Sequence, residues 1–126
     1  MKLAATLFTA AVLLATPVLA DDIPQLTGTW KGPYEGASLK YGFLSGDYTL
    51  VVSEQKGRAF KGEITYPRQG QLVTEPIIGT IDSDGDRVIF VGDEGHHTAE
   101  YDDGVLQDCY VSSDSSVAVC MELTKQ

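Results

Sequence analysis

From Leu26 to the end of this 126-residue chain, apolar side chains fall on alternate positions in short runs, and most runs stop at a pair of turn-forming residues. A period of two sends successive side chains to opposite faces, so each run reads as a half-buried strand. Leu26, Gly28 and Trp30 share one face of the first run, with Thr27, Thr29 and Lys31 on the other. Trp30, the single tryptophan, is the anchor of that face. Tyr48, Leu50 and Val52 share a later inner face, Phe60, Gly62, Ile64 and Tyr66 the next, and Ile77, Gly79 and Ile81 another. Lys56-Gly57, Gln69-Gly70, Asp84-Gly85 and Asp103-Gly104 mark turns, the Asp-Gly pairs being the strongest hairpin signals. No stretch after Asp21 carries a sustained helical repeat with caps at both ends, so no long helix is expected.

Turn signals this regular describe an all-β fold: an antiparallel up-and-down meander closing into a small β-barrel of about eight strands. The apolar runs number nine, and an odd meander would bring its first and last strands together parallel. One run, either Leu39 to Phe43 or Val88 to Gly92, is therefore not a full barrel strand. An open barrel or a sandwich built from the same strands is the alternative. Local signals divide the early chain further. Pro33 lacks a ladder donor and ends the Trp30 strand at Gly32-Pro33, Glu35-Gly36 turns, Ser45-Gly46 breaks the chain again, and Tyr66-Pro67 stops a later strand.

Residues 1–20 read as a signal peptide: Lys2, an apolar run from Leu3 through Leu14, and Val18-Leu19-Ala20 as a small-x-small cleavage site. The remaining 21–126 suffice for a single domain. No later apolar run has spanning length, so no membrane span is expected. The reading places the protein in the periplasm or outside the cell. A formal net charge of -9 makes nucleic acid an unfavourable partner. That charge is uneven. Between Asp82 and Asp108 the acids at 82, 84, 86, 93, 94, 100, 102, 103 and 108 face the single base Arg87. They form either a solvated surface or a docking surface for a basic protein partner.

Cys109 and Cys120 are the two cysteines of the chain. Folding the last hairpin about Asp114-Ser115 puts them directly opposite each other, and an oxidising compartment would let them bond. The same register turns Leu106, Asp108 and Tyr110 to one face with Val119, Met121 and Leu123. Asp108 thus points inward, where a carboxylate needs tyrosine, amide or ligand partners unless it reaches water at the barrel mouth.

The Leu26-Thr27-Gly28-Thr29-Trp30 opening, a Gly-x-Trp at the head of an all-β chain, resembles the first strand of the calycin group, the lipocalin and avidin barrels. The resemblance implies a barrel whose tryptophan closes one end. In the avidin-like case it also implies a ligand held by several tryptophans and a late carboxylate, to which only Trp30 and Asp108 correspond. A single tryptophan argues against biotin, and the chain is short for a lipocalin.

Other constellations carry less. His96-His97 lies among carboxylates, but neighbours on a strand face opposite ways, so one histidine is expected inward and one outward, with no metal site. Asp82-x-Asp84-x-Asp86 starts like a calcium loop, yet Arg87 stands where glycine is needed, and it reads as a hairpin turn. With no nucleophile motif or nucleotide fingerprint, neither an enzyme nor a cofactor is expected. The expected function is binding of a small apolar ligand, with Trp30, Tyr41, Tyr48, Tyr101, Asp108 and Tyr110 as candidate contacts and Phe43 and Phe60 also turned inward. The alternative is an acidic module that binds a protein, such as an inhibitor of a basic hydrolase.

Overall fold

The structure, a computed structural model, describes residues 22–126; the proposed signal peptide lies outside them. Strands β1 (Gly28–Ser38), β2 (Gly42–Lys56), β3 (Ala59–Arg68), β4 (Gln71–Ile81), β5 (Arg87–Val91), β6 (His96–Asp102), β7 (Val105–Ser112) and β8 (Val117–Lys125) follow one another without a helix. Each pairs antiparallel with the next, and β8 returns to β1, so the sheet is a closed barrel. Closure gives every strand two neighbours, so no strand is an edge along its whole length. Among the described residues no helix is long and apolar enough to cross a membrane.

Eight strands arise because Leu39 to Tyr41 is the β1–β2 turn, whereas the short Val88 run is β5. Leu39 is 90% and Phe43 96% exposed, so the alternation seen there in the sequence does not mark a buried face, and Phe43 is not an interior residue. The predicted stops at Gly32-Pro33, Glu35-Gly36 and Ser45-Gly46 are likewise corrected. All three lie within strands, and each has a physical reason. The β1–β2 ladder is continuous through Pro33, while the β1–β8 ladder skips Gly32 and Pro33, so the missing proline N–H is absorbed on the β8 side. Gly36 faces the Ala118 carbonyl of β8 at a distance no side chain could occupy. Gly46 pairs with Tyr34, and a Cβ there would sit 2.9 Å from the Tyr34 ring. These glycines mark close approach inside strands, not turns. The Tyr66-Pro67 stop falls short by little, since β3 runs to Arg68 before the Gln69-Gly70 turn.

A bulge at Ser53 shifts the register between Val52 and Glu54, which bends the 15-residue β2 around the barrel. The turns at Gly57, Gln69-Gly70, Gly85 and Asp103-Gly104 all carry positive φ, as their sequences require. Trp30, Val52, Ile81, Val88, Leu106 and Leu123 are buried in one contiguous core with Leu26, whose carbonyl accepts a 2.8 Å hydrogen bond from the Trp30 indole N–H. Gln55 ties the segment before β1 across this end, accepting from the Leu26 amide and donating to the Pro24 carbonyl. Trp30 thus closes one end of the barrel.

On the outer face, Cys109 and Cys120 are register partners joined by a disulfide across a Cα separation of 4.0 Å. Closing so short a loop contributes about 3 kcal/mol in the chain-entropy account. The bond is also compatible with an oxidising compartment.

Closure of β1 on β8 depends on the absence of a side chain at Gly32, where a Cβ would overlap the Glu122 carbonyl oxygen. Gly32→Ala should cost about 1–3 kcal/mol through this overlap, read as a lower urea midpoint with an unchanged slope. A midpoint equal to that of the native protein would show that β8 can withdraw without cost.

Candidate functional site

Alternate turns of an up-and-down barrel gather at opposite ends. The β1–β2, β3–β4, β5–β6 and β7–β8 turns lie away from Trp30, and they surround a cavity of about 870 Å³. Its walls are aromatic and aliphatic: Tyr34 from β1, Tyr48 from β2, Ile64 and Tyr66 from β3, Tyr110 from β7 and Val119 from β8. Each stands at an inward position of its strand, so the period of two read in the sequence puts them there. Tyr48 and Tyr66 stack with centroids 6.3 Å apart and planes 11° apart.

The wall dips at β4. β5 pairs only with Ile78–Ile81, so Gln71 to Ile77 has no partner on that side, and Glu75 lies in this stretch. Burial, and then Asp93 and Glu94, push the Glu75 carboxyl above its usual range. At the rim, Arg68 meets Glu94 at 3.6 Å, donates to the Tyr66 hydroxyl at 3.2 Å and covers the Tyr66 ring. Ser112 secures the mouth by donating to the Glu94 carbonyl at 2.9 Å and accepting from the Ser115 amide.

The floor of the cavity is polar. His97 Nδ1 and Asp108 Oδ2 are 2.7 Å apart, and each residue is only 1% exposed. His97 Nε2 lies 3.3 Å from the Tyr48 hydroxyl. Phe90 stacks on the imidazole at 4.1 Å and 8°, and Tyr110 leans over it at 4.8 Å. Aromatic packing therefore fixes the ring plane while both nitrogens have partners. Asp108 Oδ1 is buried without a hydrogen-bond donor. Burial pushes the Asp108 carboxyl above its usual range, against the hydrogen bond shared with His97, the imidazole's charge and the Cys109 backbone, which pull it down. Burial, and then the Asp108 and Glu75 charges, hold the Tyr48 phenol far above its ordinary value.

Of the six candidate ligand contacts, Tyr41, Tyr48 and Tyr110 line this cavity. Trp30 and Tyr101 do not. They pack edge to face at 6.3 Å in the closed end. Asp108 is inward as expected, but it lies beneath His97 and takes histidine as its partner instead of tyrosine. His97 is buried and His96 exposed, the expected split. The His97–Asp108 pairing escaped the sequence reading although a signal for it was present. A two-residue Asp103-Gly104 loop pairs Asp102 with Val105, which sets His97 opposite Tyr110 and Ala99 opposite Asp108. His97 and Asp108 then stand diagonally on one face, within reach of long side chains. Tyr34, Tyr66 and Glu75 were also missed, because the runs that hold them gave no sign of which end of the barrel would be open.

The acids of residues 82–108 are divided between the two ends. Asp82, Asp84, Asp86, Asp102 and Asp103 lie at the closed end, whereas Asp93 and Glu94 are at the mouth. Asp82 Oδ1 accepts from the Gly85 and Arg87 amides, so this aspartate shapes its hairpin turn.

A carboxyl raised in the folded state contributes stability fully below its unfolded pKa of about 3.9 and loses that contribution as pH rises through the folded value. The stability of the native protein relative to Asp108→Asn should therefore fall as pH rises from about 4 towards neutrality. Urea unfolding of both proteins at each pH measures the gap, and a constant gap would contradict a raised carboxyl. No protein-family model and no curated protein matches the chain, so its likeness to the calycin group rests on the closed eight-stranded antiparallel barrel.

Proposed function

We propose that this is an exported binding barrel that holds a small, largely apolar molecule in the cavity at its open end. The supporting observation is the cavity itself, whose volume of about 870 Å³ falls in the range of about 300–1,000 Å³ that accommodates small ligands. A barrel this small can fill its interior with side chains, and here the side chains packed around Trp30 leave the cavity at the other end unfilled. The mouth suits an apolar visitor. Leu39, Tyr41, Phe43 and Leu72 are exposed on the hairpins around it and give its rim an apolar character. Export rests on the signal-like residues 1–20 and accords with the disulfide.

The acids that do gather, Asp82, Asp84, Asp86, Asp102 and Asp103, support a second reading in which the closed end docks a basic protein. Such docking would weaken as salt is raised.

Trp30 lies at the other end of the barrel, so a neutral naphthylamine dye reports cavity occupancy better than tryptophan emission. The dye should bind saturably at one site per chain. Leu44, half-buried against the core and lining the cavity, offers the control. Leu44→Trp should fill the cavity and weaken the dye at least about tenfold while the thermal midpoint stays within a few degrees. Dye binding that is non-saturable, or unchanged in Leu44→Trp, would overturn the binding reading.

A further inference from the structure

The buried pair beneath the cavity carries more than a structural role, because its protonation decides what the Tyr48 hydroxyl offers a ligand. Asp108 makes a single side-chain hydrogen bond, between Oδ2 and His97 Nδ1, and Oδ1 has no hydrogen-bond partner. A net charge so deeply buried is costly unless it is balanced. The ionisable groups facing the imidazole are Asp108 and Tyr110 from β7, Tyr48 from β2, Tyr66 from β3 and Glu75 from β4. None is a cation. Arg68, at the rim, is engaged by Glu94.

The balanced state of the pair therefore holds one proton in addition to that of a neutral imidazole with ionised Asp108. It has two arrangements: an imidazolium beside a carboxylate, or a carboxylic acid donating to a bare Nδ1. In both, Nε2 carries a hydrogen. At 3.3 Å that N–H donates to the Tyr48 oxygen, which leaves the phenolic O–H to point elsewhere, and Tyr48 borders the cavity. Only removal of the extra proton bares Nε2 and turns the Tyr48 O–H back onto the histidine.

We infer that the cavity floor presents Tyr48 as a committed hydrogen-bond donor, and that the ligand is a neutral apolar molecule whose innermost group is an oxygen acceptor, a ketone, ester or amide carbonyl. This inference rests on the binding reading. A neutral acceptor is favoured over a carboxylate because Glu75, which makes no ion pair among the described residues, borders the cavity and would repel an anion, whereas Arg68 and Glu94 offset each other at the rim and Lys40 stands over the Tyr41 ring on the β1–β2 turn. The tyrosine and aliphatic walls solvate the rest of the molecule, and the single polar contact orients it. His97 and Asp108 are positioning residues that act through Tyr48.

Two measurements on the oxidised protein test this. The first needs no ligand. Nitrogen-15 histidine spectra, with His97 distinguished from His96 by a His96→Gln variant, should show a protonated Nε2 on His97 at neutral pH; a bare Nε2 overturns the donor assignment. The second compares 6-propionyl-2-dimethylaminonaphthalene, an apolar ketone, with 2-dimethylaminonaphthalene, which lacks the carbonyl. The ketone should bind about tenfold tighter than its analogue, and Tyr48→Phe should erase most of that difference. Emission of the bound ketone should also move to shorter wavelength in Tyr48→Phe, a change that a merely structural tyrosine would not produce. If both probes bind equally well, the donor inference fails and the binding reading stands. Failure of both to bind overturns the binding reading and the inference with it.

Discussion

Everything in this molecule depends on the ladder between β1 and β8. Seven hairpin connections would build a sheet without it, but only this pairing of the first strand with the last makes an inside. The contact is tight because β1 presents glycine at 32 and 36, where the β8 carbonyls of Glu122 and Ala118 occupy the space of a side chain. Pro33 falls where the ladder to β8 is already interrupted, so its missing donor costs that ladder little more. The same residues that looked like strand breakers are what allow the barrel to close.

Closure divides the interior into two unlike halves. Around Trp30, large apolar side chains from most strands meet and fill the space, and the chain before β1 seals it through Leu26 and Gln55. Towards the other end the strands contribute tyrosines, whose hydroxyls need partners, and the wall is lowered where the short β5 leaves part of β4 unpaired. Between the halves lies the His97–Asp108 pair, held by Phe90 on one side and Tyr110 on the other. A buried pair of this kind is a weak source of stability. Its geometry is more telling in what it does to Tyr48.

The alternation of Phe60 to Tyr66, the Asp84-Gly85 and Asp103-Gly104 turns and the opposed Cys109 and Cys120 were legible because each depends on residues close in the chain. A hairpin with a short loop leaves little choice of register, so Asp108 could be placed inward from the last hairpin alone. Leu39 to Phe43 misled for the same local reason. Their pattern matches a strand, and nothing nearby says that they extend past the barrel into water. The glycines at 36 and 46 misled in the opposite sense, since a glycine that makes room for a distant neighbour looks the same in sequence as one that makes a turn.

The sequence by itself determined the all-β class, most of the turns, the inward set of each strand and the partner of each cysteine, since these follow from side-chain period and loop length. It did not determine which inward residues share a cavity. Trp30 and Tyr101 share their strands' inner faces with Tyr34 and His97, respectively, yet lie at the filled end, not the open one. Only the tertiary structure decided that, because height along a barrel is set by how all eight strands stagger when the sheet closes. The stagger is a property of the whole ladder, carried by close contacts between residues as far apart as Gly32 and Glu122.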